Sequence, residues 1–194
     1  MVAAIHAETS TGVLNPIKEI GELCKKYNAR LMIDCVTSLG GTEIKFDEWN
    51  VDYAYSGTQK CLAAPPGLSP VSISESAIEY IKSRKKQPSS WYLDLVALSD
   101  YWGKEHIAHQ TTPVNLVYAL NEALNLTFEE GLENKFLRHK IMSDGLKKGL
   151  KELCLVLPID ESYALNQLTV INIPENINDI DFRNKLLRNY LIEI

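Results

Sequence analysis

Arg30-Leu31-Met32-Ile33-Asp34 and Val51-Asp52-Tyr53-Ala54-Tyr55-Ser56-Gly57-Thr58-Gln59-Lys60 decide the fold. Each is a short apolar run closed by a polar segment, which is how a buried strand leaves a sheet. The first reads as a strand from Arg30 to Ile33 ending at Asp34, and the second as a strand from Val51 to Tyr55 leading to Lys60. Upstream, Val2 to Ile5 is β-compatible and is followed by the polar run Glu8-Thr9-Ser10-Thr11-Gly12. Pro16 then opens a helical pattern with Ile17, Ile20, Leu23 and Cys24 on one face. Downstream, Leu68 to Ile73 is a third apolar run of this kind. The β-α-β-β order predicts an α/β fold: a mainly parallel sheet covered by helices on both faces.

The second half reads as mostly helical. A helix is predicted from Ser74 to Lys82, with the basic run Lys82 to Lys86 as a solvated end, and Gln87 to Tyr92 as a loop. After Thr112-Pro113 a long amphipathic helix carries Leu116, Ala119, Leu120, Ala123 and Leu124. Gly131 interrupts it, a helix from Leu132 to Leu153 follows, Leu168 to Ile173 alternates as a strand, and Asp179 to Leu191 closes as a helix. The first strand reads as covered although it starts almost at Met1, and Leu191 to Ile194 reads as lying inside a strand. Both ends therefore look like the interior of a larger structure.

The composition suits a globular chain: 194 residues, 45% hydrophobic and 23% charged. A formal net charge of −5 gives no reason to expect nucleic acid or an anionic membrane as partner. No apolar run approaches the roughly 20 residues that span a bilayer. Cys24, Cys35, Cys61 and Cys154 lack metal or redox spacing and read as reduced thiols of an intracellular protein. His6, His109, Trp49, Trp91 and Trp102 read as structural residues.

Asp34 and Lys60 follow neighbouring strands, at the edge where open α/β sheets bind ligands. A lysine there can serve as an amine nucleophile, and a carboxylate can hold a proton on a ring nitrogen. Pyridoxal 5′-phosphate (PLP) chemistry needs this pair. An Asp at a strand end also serves as a turn former, and a lone Lys is usually solvent-facing. The run Thr9-Ser10-Thr11-Gly12 offers hydroxyls and N–H groups suited to a cofactor oxygen or phosphate, or else an N-cap for the Pro16 helix.

Three stretches sharpen this reading: His6-Ala7-Glu8-Thr9-Ser10-Thr11-Gly12-Val13, Ile33-Asp34-Cys35-Val36-Thr37-Ser38-Leu39-Gly40-Gly41, and Tyr55-Ser56-Gly57-Thr58-Gln59-Lys60-Cys61-Leu62-Ala63-Ala64-Pro65-Pro66-Gly67. In this order they resemble segments of the class V, fold-type I PLP enzymes, in particular the alanine–glyoxylate and serine–pyruvate aminotransferases. Trp102-Gly103 and Gly131-Leu132-Glu133-Asn134 extend the likeness over nearly the whole chain. The resemblance implies a partial large PLP-binding domain, residues 1–128, and a partial small C-terminal α+β domain, residues 129–194. It implies PLP as cofactor, Lys60 as the Schiff-base lysine and Asp34 as partner of the pyridine nitrogen. Val36 would pack on the ring face, Thr9 would sit near the ring hydroxyl, Gln59 would contact the phosphate, and Thr111 would reach the phosphate of a neighbouring subunit.

The implied activity is transamination between a small amino acid (alanine or serine) and a 2-oxo acid (glyoxylate or pyruvate), by a full-length homodimer in a peroxisome or mitochondrion, with the cytoplasm as the alternative. Family members often carry a tyrosine three residues before the threonine, where this chain has Ala108. The family's Gly-rich phosphate loop and ring-stacking aromatic have no counterpart here, and neither Arg183 nor Arg188 matches its substrate-binding arginine. Two alternatives stand beside this. One is another class V activity, of kynureninase or desulfurase type, although desulfurases carry a histidine where this chain has Gln59. The other is a truncated, inert chain that only associates with a full-length subunit.

Overall fold

A computed structural model describes residues 1–104 and 106–193. Strands β1 (Val2–Ile5), β4 (Leu31–Asp34), β5 (Tyr53–Tyr55) and β6 (Val71–Ile73) form one sheet in the order β1-β4-β5-β6. The β1–β4 and β4–β5 pairs are parallel, and β6 runs antiparallel to β5. Helix α1 (Ile17–Lys26) makes the crossover from β1 to β4, while turns connect β4 to β5. Strands β2 (Ala7–Glu8) and β3 (Val13–Leu14) form a small hairpin beside the sheet. Helices α2 (Glu75–Lys82), α3 (Leu95–Trp102), α4 (Val114–Glu130), α5 (Leu132–Glu152) and α6 (Asp179–Tyr190) follow.

The core forms where α1 meets one face of the sheet. Ile17 and Cys24 pack with Leu31, Ile33, Cys35, Val51 and Ala54. Leu31 and Ile33 are fully buried, whereas Met32 and Asp34 on the opposite face are half-buried, as strand alternation requires. The predicted helix face is corrected at Leu23, which is 55% exposed. At about 100° per residue it lies well off the line through Ile17, Ile20 and Cys24, and Gly21 takes the buried position instead. A Cβ at Gly21 would stand 1.8 Å from the Trp49 carbonyl oxygen, so only glycine allows this approach.

Several other expectations are corrected. Among the described residues strand β1 lies at the edge of the sheet, with Val2, Ala3 and Ile5 exposed. Leu168–Ile173 alternates as a strand does but is not one: a strand needs a ladder, and this segment takes a single backbone bond, from Asn172 N–H to the Val156 carbonyl. Leu191, expected in a strand, caps α6 in the left-handed region at φ 55, and Ile194 lies outside the described residues. Trp91 and Trp102 are exposed, so of the three tryptophans only Trp49 is substantially packed. Helix α3 adds an element that the periodicity does not predict; Asp94 caps it by accepting from the Val96 and Ala97 N–H groups.

The other helices match their reading closely. Ser74 caps α2 through its hydroxyl, and Gly131, at φ +82, separates α4 from α5. Among the described residues no helix is long and apolar enough to cross a membrane.

Candidate active site

Asp34 ends β4, directly opposite Tyr55 at the end of β5. Its Oδ1 accepts from the Val36 N–H at 2.9 Å, and its Oδ2 accepts from the Tyr55 hydroxyl at 2.8 Å. Each oxygen keeps a further lone pair, so the carboxylate is oriented without being saturated. The same hydrogen bond raises the Tyr55 hydroxyl above its ordinary pKa, with burial as a lesser cause.

Beyond Tyr55 the chain turns sharply. Buried Ser56 donates to the Cys35 carbonyl at 3.2 Å. Thr58, fully buried, donates to the Pro65 carbonyl at 2.6 Å, and the Ala64 N–H returns to the Thr58 carbonyl at 3.0 Å. These bonds close a compact loop that carries the exposed Lys60 at its tip. Gln59 is exposed, and its side chain folds so closely over Gly57 that a Cβ there would stand 2.6 Å from the amide oxygen.

Lys60 opens into a cleft of about 550 Å³. Thr9, Thr37 and Cys61 line it from the sheet side, and α4 and α5 supply Thr127, Glu130, Lys135, Arg138 and His139. Thr9 and Thr37 are hydrogen-bonded to each other through their hydroxyls at 2.6 Å. Gln167 ties the far segment to this edge, accepting from Thr42 Oγ1 at 3.0 Å and donating to the Thr37 carbonyl at 3.2 Å. Arg138 is held by Glu130 through two hydrogen bonds, one of them 2.8 Å long. This pairing keeps the Glu130 carboxyl below its usual range.

The structure thus brings Thr9 and Lys60 into one cleft and sets Asp34 three residues from Thr37 in its wall. Val36 is half-buried beside Asp34, while Gln59 and Thr111 are exposed and do not line the cleft. The expectation that Thr9–Gly12 opens towards a helix with its N–H groups available is corrected for Ser10 and Gly12. The run is the turn of the β2–β3 hairpin: the Ser10 N–H donates to Glu8 Oε1 and the Gly12 N–H to the Glu8 carbonyl. Helix α1 starts later, after Pro16, with no side-chain cap bond. Tyr55, Thr37, Lys135 and Gln167 do not stand out as site residues in the sequence. Only Tyr55 carries a legible signal, its place at the strand end beside the family-like Ser56-Gly57-Thr58-Gln59-Lys60 run.

His6 is buried at the end of β1, its Nδ1 3.0 Å from Ser38 Oγ and its ring edge-on to Trp49. Burial pulls its imidazole down to about 4. His109 is buried against Trp91, with ring centroids 4.2 Å apart. The thiols are free among the described residues, and burial pushes Cys35 up to about 12, which removes it as a nucleophile at neutral pH.

A mainly parallel sheet whose strand ends carry an oriented carboxylate, a loop lysine and paired hydroxyls is the architecture of a fold-type I PLP enzyme. The chain belongs to the class V aminotransferase family, which matches residues 1–194. It is 42% identical to alanine–glyoxylate aminotransferase of Rattus norvegicus over 193 residues, covering 97% of this chain and 47% of that protein. It is 38% identical to (S)-ureidoglycine–glyoxylate transaminase of Bacillus subtilis, covering all of this chain and 51% of that protein. The crystal structure of alanine–glyoxylate aminotransferase from Nostoc superposes with a TM-score of 0.95 at 43% identity, over 98% of this chain and 51% of that one. The chain therefore spans about half the length of the relatives it matches. Members of the family are PLP-dependent enzymes.

Proposed function

We propose that this chain forms the catalytic centre of a PLP-dependent aminotransferase that moves an amino group from alanine or serine to glyoxylate or pyruvate. The observation that carries the reading is the joint placement of Asp34 and the Lys60 loop at the same edge of neighbouring parallel strands. The donor set fits the cofactor. An oriented carboxylate with spare lone pairs suits a protonated ring nitrogen, a cleft amine suits an aldehyde, and the Thr9–Thr37 hydroxyl pair suits a ring oxygen.

PLP, when bound, supplies an electron sink that allows the Cα–H bond of an amino acid to break. Lys60 would hold its aldehyde and, freed by the amino donor, would act as the base at Cα and the acid at the former aldehyde carbon. Asp34 would keep the ring nitrogen protonated, with Tyr55 and the Val36 N–H holding the carboxylate in place. Val36 would hold the ring face, Thr9 the ring hydroxyl and Gln59 the phosphate. We assign Thr111 to the phosphate of a neighbouring subunit in a homodimer, residues 1–128 to the large domain and 129–194 to the small one, and a peroxisome or mitochondrion as the site of action. Gln59 and the unreactive Cys35 both weigh against a desulfurase.

The test is borohydride reduction of the chain mixed with PLP, followed by peptide mapping. Cofactor attached to Lys60, and its loss in Lys60→Ala, is the expected result. An adduct that persists undiminished on other lysines in that variant overturns the assignment.

A further inference from the structure

Lys135, on α5, is only 6% exposed. Among the described residues its hydrogen-bond acceptors are neutral: the Cys61 carbonyl oxygen at 2.9 Å and Thr127 Oγ1 at 2.9 Å. Thr127 in turn donates to the Ala123 carbonyl at 2.9 Å, so its hydroxyl hydrogen is used and its lone pair faces the ammonium. The result is a chain of hydrogen bonds from α4 through α5 to the residue that follows Lys60.

A buried ammonium is costly, and an uncharged side chain could fill the same space without that cost. The charge retained here meets the Cys61 carbonyl directly and the Glu130 carboxylate of the same cleft through space. The Lys60 turn receives this grip in addition to its internal bonds. Its own backbone bonds, from the Ala63 N–H to the Lys60 carbonyl at 2.9 Å and from the Ala64 N–H to the Thr58 carbonyl at 3.0 Å, close the turn internally. The Cys61 carbonyl is the point at which the turn is held from the helical side of the cleft, across a sequence separation of 74 residues. Lys135 and Lys60 both counter the rise that burial imposes on the Cys61 thiol, as two ammonium groups flanking one residue should.

We propose that Lys135 is a positioning residue for Lys60: it fixes the turn that carries the cleft amine to the α4–α5 wall opposite. The proposal rests on the Lys60 assignment for its consequence in cofactor capture, and on geometry alone for its effect on the turn.

The experiment uses the 194-residue chain, unaltered and as Lys135→Met, Lys135→Arg and Thr127→Val, with two readouts. Amide hydrogen exchange over residues 59–64 is followed without cofactor, and the PLP concentration giving half-maximal borohydride trapping on Lys60 is determined. Lys135→Met should speed exchange over 59–64 and raise the half-saturating PLP concentration, each by about tenfold, with Leu31–Ile33 still protected. Lys135→Arg should restore both to within about threefold, because a guanidinium can still donate to the carbonyl. Unchanged exchange in Lys135→Met, or no recovery in Lys135→Arg, overturns the proposal. Should Lys135→Met lose protection of the core itself, Thr127→Val decides: faster exchange confined to 59–64 supports the clamp, and unchanged exchange overturns it. If Lys60 of the unaltered chain is not trapped at all, the function proposed above falls, while the exchange readout still judges Lys135.

Discussion

The two ends of the sheet use similar residues to opposite purpose. At one end Asp52 takes three donors: Arg30 Nη1 at 2.7 Å and Ser74 Oγ at 3.3 Å on one oxygen, and the Leu31 N–H at 3.0 Å on the other. Its carbonyl accepts from the Ser74 N–H at 2.9 Å, and the Arg30 guanidinium lies over the Tyr80 ring at 4.8 Å. Three strands and α2 are locked there. At the other end Asp34 is held by one donor on each oxygen, and Lys60 faces a cleft. A polar cluster that satisfies itself builds the fold, whereas one aimed but left with capacity is built for a ligand.

This contrast predicts that stability and ligand capture separate between the two ends. Asp34→Ala should weaken PLP capture by about a thousandfold, the order found when one member of a buried charge pair is removed. Its urea midpoint should move little, and a variant that traps PLP normally would erase the distinction. Asp52→Ala should do the reverse, costing about 3 kcal/mol in urea unfolding through the lost ion pair and stranded N–H while Lys60 trapping survives in the folded fraction. A still smaller effect concerns pH. His6 sits at the ligand end with its pKa lowered from 6.5 to about 4, so the folded chain refuses a proton that the unfolded chain accepts. Stability is therefore full above pH 6.5 and falls as the pH drops towards 4, and the loss at pH 5 is about 2 kcal/mol. His6→Gln should flatten that slope in urea titrations at pH 7 and pH 5, whereas Asp52→Ala should not.

Much of this contrast is legible in the amino-acid sequence. An apolar run closed by a polar residue locates both strand ends, and Asp34 and Lys60 with them, because strand termini are local events. The ion-paired cluster around Asp52 is not legible, since it depends on Arg30 and Ser74 arriving from separate elements. Lys135 is hidden for the same reason, its partner Cys61 lying far back in the chain. Leu168–Ile173 shows the converse: a strand's alternation without a neighbour to complete the ladder. Thr9 stands out in the sequence and does line the cleft, but the Ser10 and Gly12 N–H groups beside it are taken by Glu8 within the hairpin turn.

Tyr55 offers the finest test, because it touches the functional carboxylate from the structural side. Register places it opposite Asp34, and its hydroxyl supplies one of that carboxylate's two hydrogen bonds. Tyr55→Phe removes this donor and leaves the Val36 N–H in place. It should cost about 1 kcal/mol of stability or less, the usual worth of a single exposed hydrogen bond. PLP capture should weaken only about threefold to tenfold, since Asp34 stays charged but swings more freely. The pH dependence gives the decisive sign. The folded-state pKa of Tyr55 is raised above 10.0, so its contribution is complete below pH 10 and is lost as the pH rises through the folded value. The variant should lack that alkaline loss while keeping the acid loss set by His6. If Tyr55→Phe abolished capture as thoroughly as Asp34→Ala, the hydroxyl would be binding the ligand itself, and the division between the two ends would have to be redrawn to include it.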